Sequence, residues 1–179
     1  VAIQEKPGAH KVEEVVISGT HKINKALFDI FIQEAVQHLQ VLKAAQLTLE
    51  NRQPLETMEF VRRAAHTLAS NAGTAGFKAI EELSRNFEFW LDLELIEWTA
   101  ECVKRFADCV TALQEMLDKA RALKQPRQVA WLLKDVKQAV LIGNQSAQEV
   151  DVTTLQEDMA AVDIYSLTQS GITIESASS

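Results

Sequence analysis

The sequence predicts an all-α protein, an antiparallel four-helix bundle with an additional C-terminal helix, on three observations. Its 6 Gly and 3 Pro fall at a few points and leave long stretches free of breakers. Within those stretches apolar residues recur at steps of three and four, the period of a helix with one buried face. Alternation at period two, the mark of a half-buried strand, is almost absent. Helices joined by short turns pack as antiparallel neighbours, and a bundle is the simplest arrangement in which their apolar stripes cover one another.

The elements follow in order. Residues 1–20 carry Pro7, Gly8 and Gly19 without a sustained period and read as a linker with a short extended piece at Val15–Ile17. From about Asn24 the series Leu27, Phe31, Ala35, Leu39, Leu42, Ala45, Leu49 defines the first helix, which Asn51-Arg52-Gln53-Pro54 ends. Met58, Val61, Ala65, Leu68 and Ala72 form the seam of a second helix, and the chain turns within Ala72–Gly76. Ile80, Leu83, Phe87 and Trp90 mark a third helix running to about Leu95, and a fourth spans about Trp98 to Leu123. The bundle is thus expected within 21–125. Pro126 opens an extra amphipathic helix over 126–143 (Val129, Leu132, Leu133, Val136, Val140), closed by Gly143-Asn144. Residues 144–179 read as an acidic tail with a short helix at Thr154–Tyr165 and a disordered end at Ser176–Ser179.

Charge and composition narrow the function. Of the net −7, residues 144–179 hold 6 acids and no base, whereas 1–143 hold 19 acids and 18 bases. An acidic tail on a near-neutral bundle argues against a general nucleic-acid binder. No stretch approaches the roughly 20 apolar residues of a membrane span, and the start lacks a signal-peptide layout, so a cytoplasmic protein is expected. The first residue, Val1, and the acidic tail suggest a domain cut with its linkers from a longer chain. Cys102 and Cys109 lie two turns apart on one helix, about 10 Å at ~1.5 Å per residue, too far for a disulfide. With no ligand at zinc spacing, they read as small core residues and no metal site is expected. Trp90, Trp98, Trp131 and most of the 7 Phe also read as core. His10 and His21 fall in or beside the linker, and His38, on a flank of the first helix, reads as structural or solvated.

His66 is different. If Val61, Ala65 and Leu68 point inward, His66 lies about 100° from Ala65, on the exposed flank of the core stripe. Arg62 and Arg63 stand one turn before it, and the small residues Ala69 and Ser70 one turn after. Two guanidinium groups beside an open imidazole make a surface suited to a phosphate-sized anion and to the approach of another protein. Glu88 follows 22 residues later on the third helix. In a hairpin turning near Thr74, the N-terminal lean of helical side chains brings Glu88 and His66 toward one another. A carboxylate on Nδ1–H would fix the tautomer and leave Nε2 as the nucleophile; the alternative is a Glu88 that pairs with Arg85 or lies in solvent.

Arg63-Ala64-Ala65-His66-Thr67-Leu68 and Ala72-Gly73-Thr74-Ala75-Gly76-Phe77 resemble the central signature of histidine-containing phosphotransfer (HPt) domains, most closely the N-terminal ones of CheA-type chemotaxis kinases. The likeness runs from about Asn24 to Leu123, and its specific part is 63–90. It implies that His66 accepts a phosphoryl group from a CheA-like kinase domain and passes it to the Asp of a response-regulator receiver, which brings its own Mg²⁺. It also implies that Glu88 hydrogen-bonds the imidazole, that no cofactor is held, and that the isolated domain is monomeric. The chain has no Gly-rich nucleotide loop, so the kinase domain lies elsewhere. HPt domains usually carry Lys and Gly three and four residues after the His; here these are Ala69 and Ser70, with Arg62, Arg63 or Lys78 left to supply positive charge. That departure leaves a second reading open, a degenerate domain serving as a docking scaffold. Atypical domains with acidic linkers are similar to those of multi-HPt CheA-like hybrids that control type IV pilus twitching motility.

Overall fold

In the computed structural model, residues 12–56, 58–93 and 97–169 are described. Asn24 starts α1 (Lys25–Glu50), its side-chain oxygen accepting from the backbone N–H of Ala26 and Leu27 (2.8 and 3.2 Å). Phe28, Phe31, Ala35, Leu39, Leu42, Ala45 and Leu49 form its buried stripe. Then come α2 (Met58–Ala75), α3 (Lys78–Leu91), α4 (Ala100–Arg121) and α5 (Ala130–Gln169). Thr99 caps α4, accepting from Cys102 N–H at 3.2 Å. α1 packs on α2 and α4, and α3 packs on α2 and α4, which closes the four-helix ring that the periodicity predicts. Phe31, Leu42, Ile80, Leu83, Phe87, Phe106 and Leu113 fill its centre. Phe87 meets Phe106 edge-on, with centroids 5.0 Å apart.

Several expectations are corrected. Before α1 the chain forms an antiparallel hairpin, β1 (Glu14–Ile17) and β2 (His21–Asn24), with Val15 opposite Ile23 and Ile17 opposite His21. The sequence reading found only the first strand, because β2 is four residues long and carries one buried apolar side chain, Ile23. The hairpin packs where the α2–α3 turn and the α4–α5 link meet. Ser18 N–H donates to Leu123 O (2.9 Å), Gln125 Nε2 to Gly76 O (3.1 Å) and His21 Nε2 to Ala75 O (3.0 Å). α2 runs through Gly73 and stops only at Gly76, where φ is +82° and a Cβ would stand 2.5 Å from the His21 ring. The third helix, expected to run to about Leu95, ends at Leu91, where Asp92 caps it with its backbone N–H on the Glu88 and Trp90 carbonyls; His10, the start of the linker and the end of the tail lie outside the described residues.

The fifth helix begins four residues later than expected and does not stop at Gly143-Asn144; it continues to Gln169 and absorbs the separate helix expected at Thr154–Tyr165. One Gly costs a helix about 1 kcal/mol, which flanking turns of helix formers outweigh. The chain divides into two units, one ending at Val140 and one beginning at Leu141. In the first, Leu132 and Val136 join the core, and the start of α5 is tied down by polar contacts: Arg105 to Asp135 (2.7 Å) and Lys137 to Glu82 (2.9 Å). Burial works against the charge of Arg105, but the hydrogen bond and charge of Asp135 outweigh it and hold the guanidinium pKa above its ordinary value. Trp131 is 60% exposed rather than in the core, with Lys104 Nζ 5.9 Å from its ring centre. Cys102 and Cys109 are free, and burial pushes the Cys109 thiol pKa far up.

Candidate functional site

The α2–α3 hairpin sets the site through one register. Arg62 Nη1 donates to Asp92 at 2.9 Å, His66 Nδ1 to Glu88 Oε1 at 2.8 Å, and a Cβ on Gly73 would stand 2.9 Å from the Glu81 carboxyl carbon. Each step toward the turn covers as many residues on α2 as on α3. Antiparallel helices meeting at small residues (Ala65, Ala69, Ala72) keep that level over three turns. The sequence-predicted pair thus meets through side chains that lean the right way.

The imidazole is 57% exposed, whereas the Glu88 side chain is only 15% exposed. A carboxylate can only accept, so the ring carries its proton on Nδ1 and presents Nε2 with a free lone pair. The arginines are not free cations. Arg62 is held by Asp92 and Arg63 by Glu59 (2.6 Å), a pair one turn apart on α2. Both stand one turn before His66 on α2, the side toward which helical side chains lean.

Two expected site residues are elsewhere. Ala69 is fully buried: three positions after His66 it lies about 60° toward the core, in the stripe with Ala65 and Ala72, so it is no part of the surface. Lys78, 80% exposed and 3.0 Å from Glu81, opens α3 ten residues before Glu88, about 15 Å along the helix, beyond reach of the imidazole. Ser70 is exposed one turn after His66, as expected. The sequence reading missed Asp92, Glu59 and Ser84. The four-residue spacing from Glu59 to Arg63 signals one of these; Asp92 becomes visible only when the His66–Glu88 register is extended by four residues. Among the described residues, no group of three or more His, Cys, Asp or Glu is placed to hold a metal, and no helix is long and apolar enough to cross a membrane.

The sequence is 29% identical over 105 residues to the chemotaxis protein CheA of Klebsiella aerogenes, a match covering 56% of this chain and 16% of that protein. The fold resembles the phosphorylated P1 domain of CheA3 from R. sphaeroides, solved in complex with CheY6, with a TM-score of 0.59 and 17% identity over 65% of this chain and 96% of that one. The Hpt domain family matches residues 26–123, the four helices that carry His66 and Glu88 and more than half of the chain. This chain is a member of the Hpt domain family.

Proposed function

We propose that the chain is a histidine phosphotransfer module of a chemosensory phosphorelay, with His66 as phosphoacceptor and Glu88 as the residue that orients it. The observation that carries this reading is the hydrogen bond from Nδ1 of an exposed imidazole to a mostly buried carboxylate, 2.8 Å long. Nε2 attacks the γ-phosphorus of ATP presented by a CheA-like kinase domain. The bond to the bridging oxygen breaks and ADP leaves with its electron pair. Nδ1 keeps its proton against Glu88, which stabilises the positive charge that develops on the ring. A receiver docks over the exposed face beside Ser70. Its Asp attacks phosphorus, and the P–N bond breaks with the pair returning to Nε2; the receiver supplies its own Mg²⁺. Arg62 and Arg63 stand where they can turn from Asp92 and Glu59 to the phosphoryl oxygens, in place of a lysine after the His. The resemblance noted above further suggests a multi-module kinase governing type IV pili, working in the cytoplasm.

Glu88→Ala is expected to slow labelling of His66 by a CheA-like kinase domain on the order of 10- to 100-fold, the usual loss when the partner orienting a functional histidine is removed. The fold should be kept, since Glu88 sits at the surface edge of α3. Unchanged kinetics would take Glu88 out of the mechanism. A second reading, a docking scaffold without transfer, is favoured by one observation: both arginines beside His66 are already paired with carboxylates. Undiminished partner binding by His66→Ala, together with no phosphorylation of the wild type, would decide for it.

A further inference from the structure

Only one oxygen of Glu88 has a partner. Oε1 accepts from His66, while Oε2 is buried with no hydrogen-bond partner among the protein atoms. One turn earlier on α3, Ser84 is fully buried, the single buried polar or charged residue among those described, and its Oγ has no partner either. Residues four apart on a helix are neighbours, and the N-terminal lean of Glu88 carries its carboxylate back over the turn that holds Ser84. Among the described residues no other donor stands in for it. Arg85, on the same turn, faces Glu81 at 3.6 Å; Arg62, from α2, is held by Asp92; and α2 contributes the buried alanines Ala65, Ala69 and Ala72 at this level. A buried hydroxyl and a buried carboxylate oxygen, both unpaired and one turn apart, are each costly alone and complementary together.

We propose that Ser84 is a positioning residue for His66: its hydroxyl donates to Glu88 Oε2, directly or through one buried water, and locks the carboxylate with Oε1 aimed at Nδ1. The terminal torsion of a glutamate is broad, so a carboxylate fixed through one oxygen swings, whereas one fixed through both does not. The chain Ser84–Glu88–His66 thereby keeps the proton on Nδ1 and the lone pair of Nε2 outward. Its importance for phosphorylation rests on the function proposed above; the hydrogen-bond chain itself does not.

The test uses the whole chain with Ser84→Ala and Ser84→Thr. The tautomer of the neutral His66 ring is read from its ¹⁵N shifts, and labelling by a CheA-like kinase domain is timed in parallel. Wild type and Ser84→Thr should hold the proton mainly on Nδ1. Ser84→Ala should move it several-fold toward Nε2 and slow labelling about fivefold, the worth of one hydrogen bond. Thermal midpoints report whether each variant is folded; if the added methyl of Thr unfolds the chain, wild type against Ser84→Ala still decides. A wild-type tautomer in Ser84→Ala, or an Ala-like tautomer in a folded Ser84→Thr, overturns the proposal. A tautomer that moves in Ser84→Ala while the wild type takes no label upholds the positioning and overturns the phosphorelay reading alone.

Discussion

Replacing His66 by Gln is expected to bring phosphoryl incorporation from a CheA-like kinase down to background. Gln keeps a polar side chain of similar reach but has no nitrogen lone pair able to attack phosphorus. The ring is more than half exposed, so the substitution should change stability by no more than about 0.5 kcal/mol, and a loss of label would report chemistry rather than unfolding. Among the described residues the other histidines offer no substitute. His21 Nε2 is engaged by Ala75 O at the far end of the hairpin, and His38 is half-buried on α1 without a carboxylate on its ring among the described contacts. Autoradiography of the wild type and variant after equal exposure to kinase and ATP measures this directly. Label retained by the variant would mean that the acceptor is another residue.

Phe77→Ala should have the largest effect on stability, a loss of about 3–5 kcal/mol with a thermal midpoint lower by on the order of 10–15 °C. Phe77 is fully buried, stacked on Phe31 with centroids 4.9 Å apart, and edge-on to His21 at 6.3 Å. It follows directly on Gly76, so it fastens the α2–α3 turn to α1 and to the hairpin in one contact. Truncation leaves a cavity where three elements meet, and the register that aligns His66 with Glu88 starts from that turn. Phe60→Ala is the internal comparison: Phe60 is 62% exposed, and its loss should cost at most about 0.5 kcal/mol. Thermal unfolding of the two variants side by side checks both values; equal midpoints would contradict the account of the core.

The contrast between these phenylalanines shows where the sequence was legible. Residues at steps of three and four with bulky neighbours on the same stripe, such as Leu39, Leu42 and Leu83, are buried as the period requires, whereas Leu27, first in its series, is exposed and Phe28 takes its place in the stripe. Lone aromatics off the stripe, Phe60 and Trp131, are exposed, since a helix face without a covering element leaves even large side chains in water. Helix ends were legible where chemistry marks them, as at Asn24 and Asn51, and not at Gly143, where one Gly lacks the strength to end a helix. At the site, the His66–Glu88 contact was readable because the resemblance to HPt domains singles out a Glu at this spacing and the side-chain lean in a helical hairpin allows the two to meet. Ala69 was misplaced because the stripe on α2 is wide enough to reach it. Ser84 escaped notice because a serine within a helical pattern carries no sign of being buried, and its significance depends on the second oxygen of a residue one turn away.

The measurement that bears most directly on the phosphoacceptor assignment is the position of the phosphoryl group on the labelled wild-type chain, read by ³¹P and ¹⁵N NMR after phosphorylation by a CheA-like kinase domain. With Nδ1 held by Glu88, the account predicts one phosphohistidine, at His66, with phosphorus on Nε2 and the proton kept on Nδ1. Phosphorus on Nδ1, on any other residue, or nowhere after full exposure to an active kinase would contradict it.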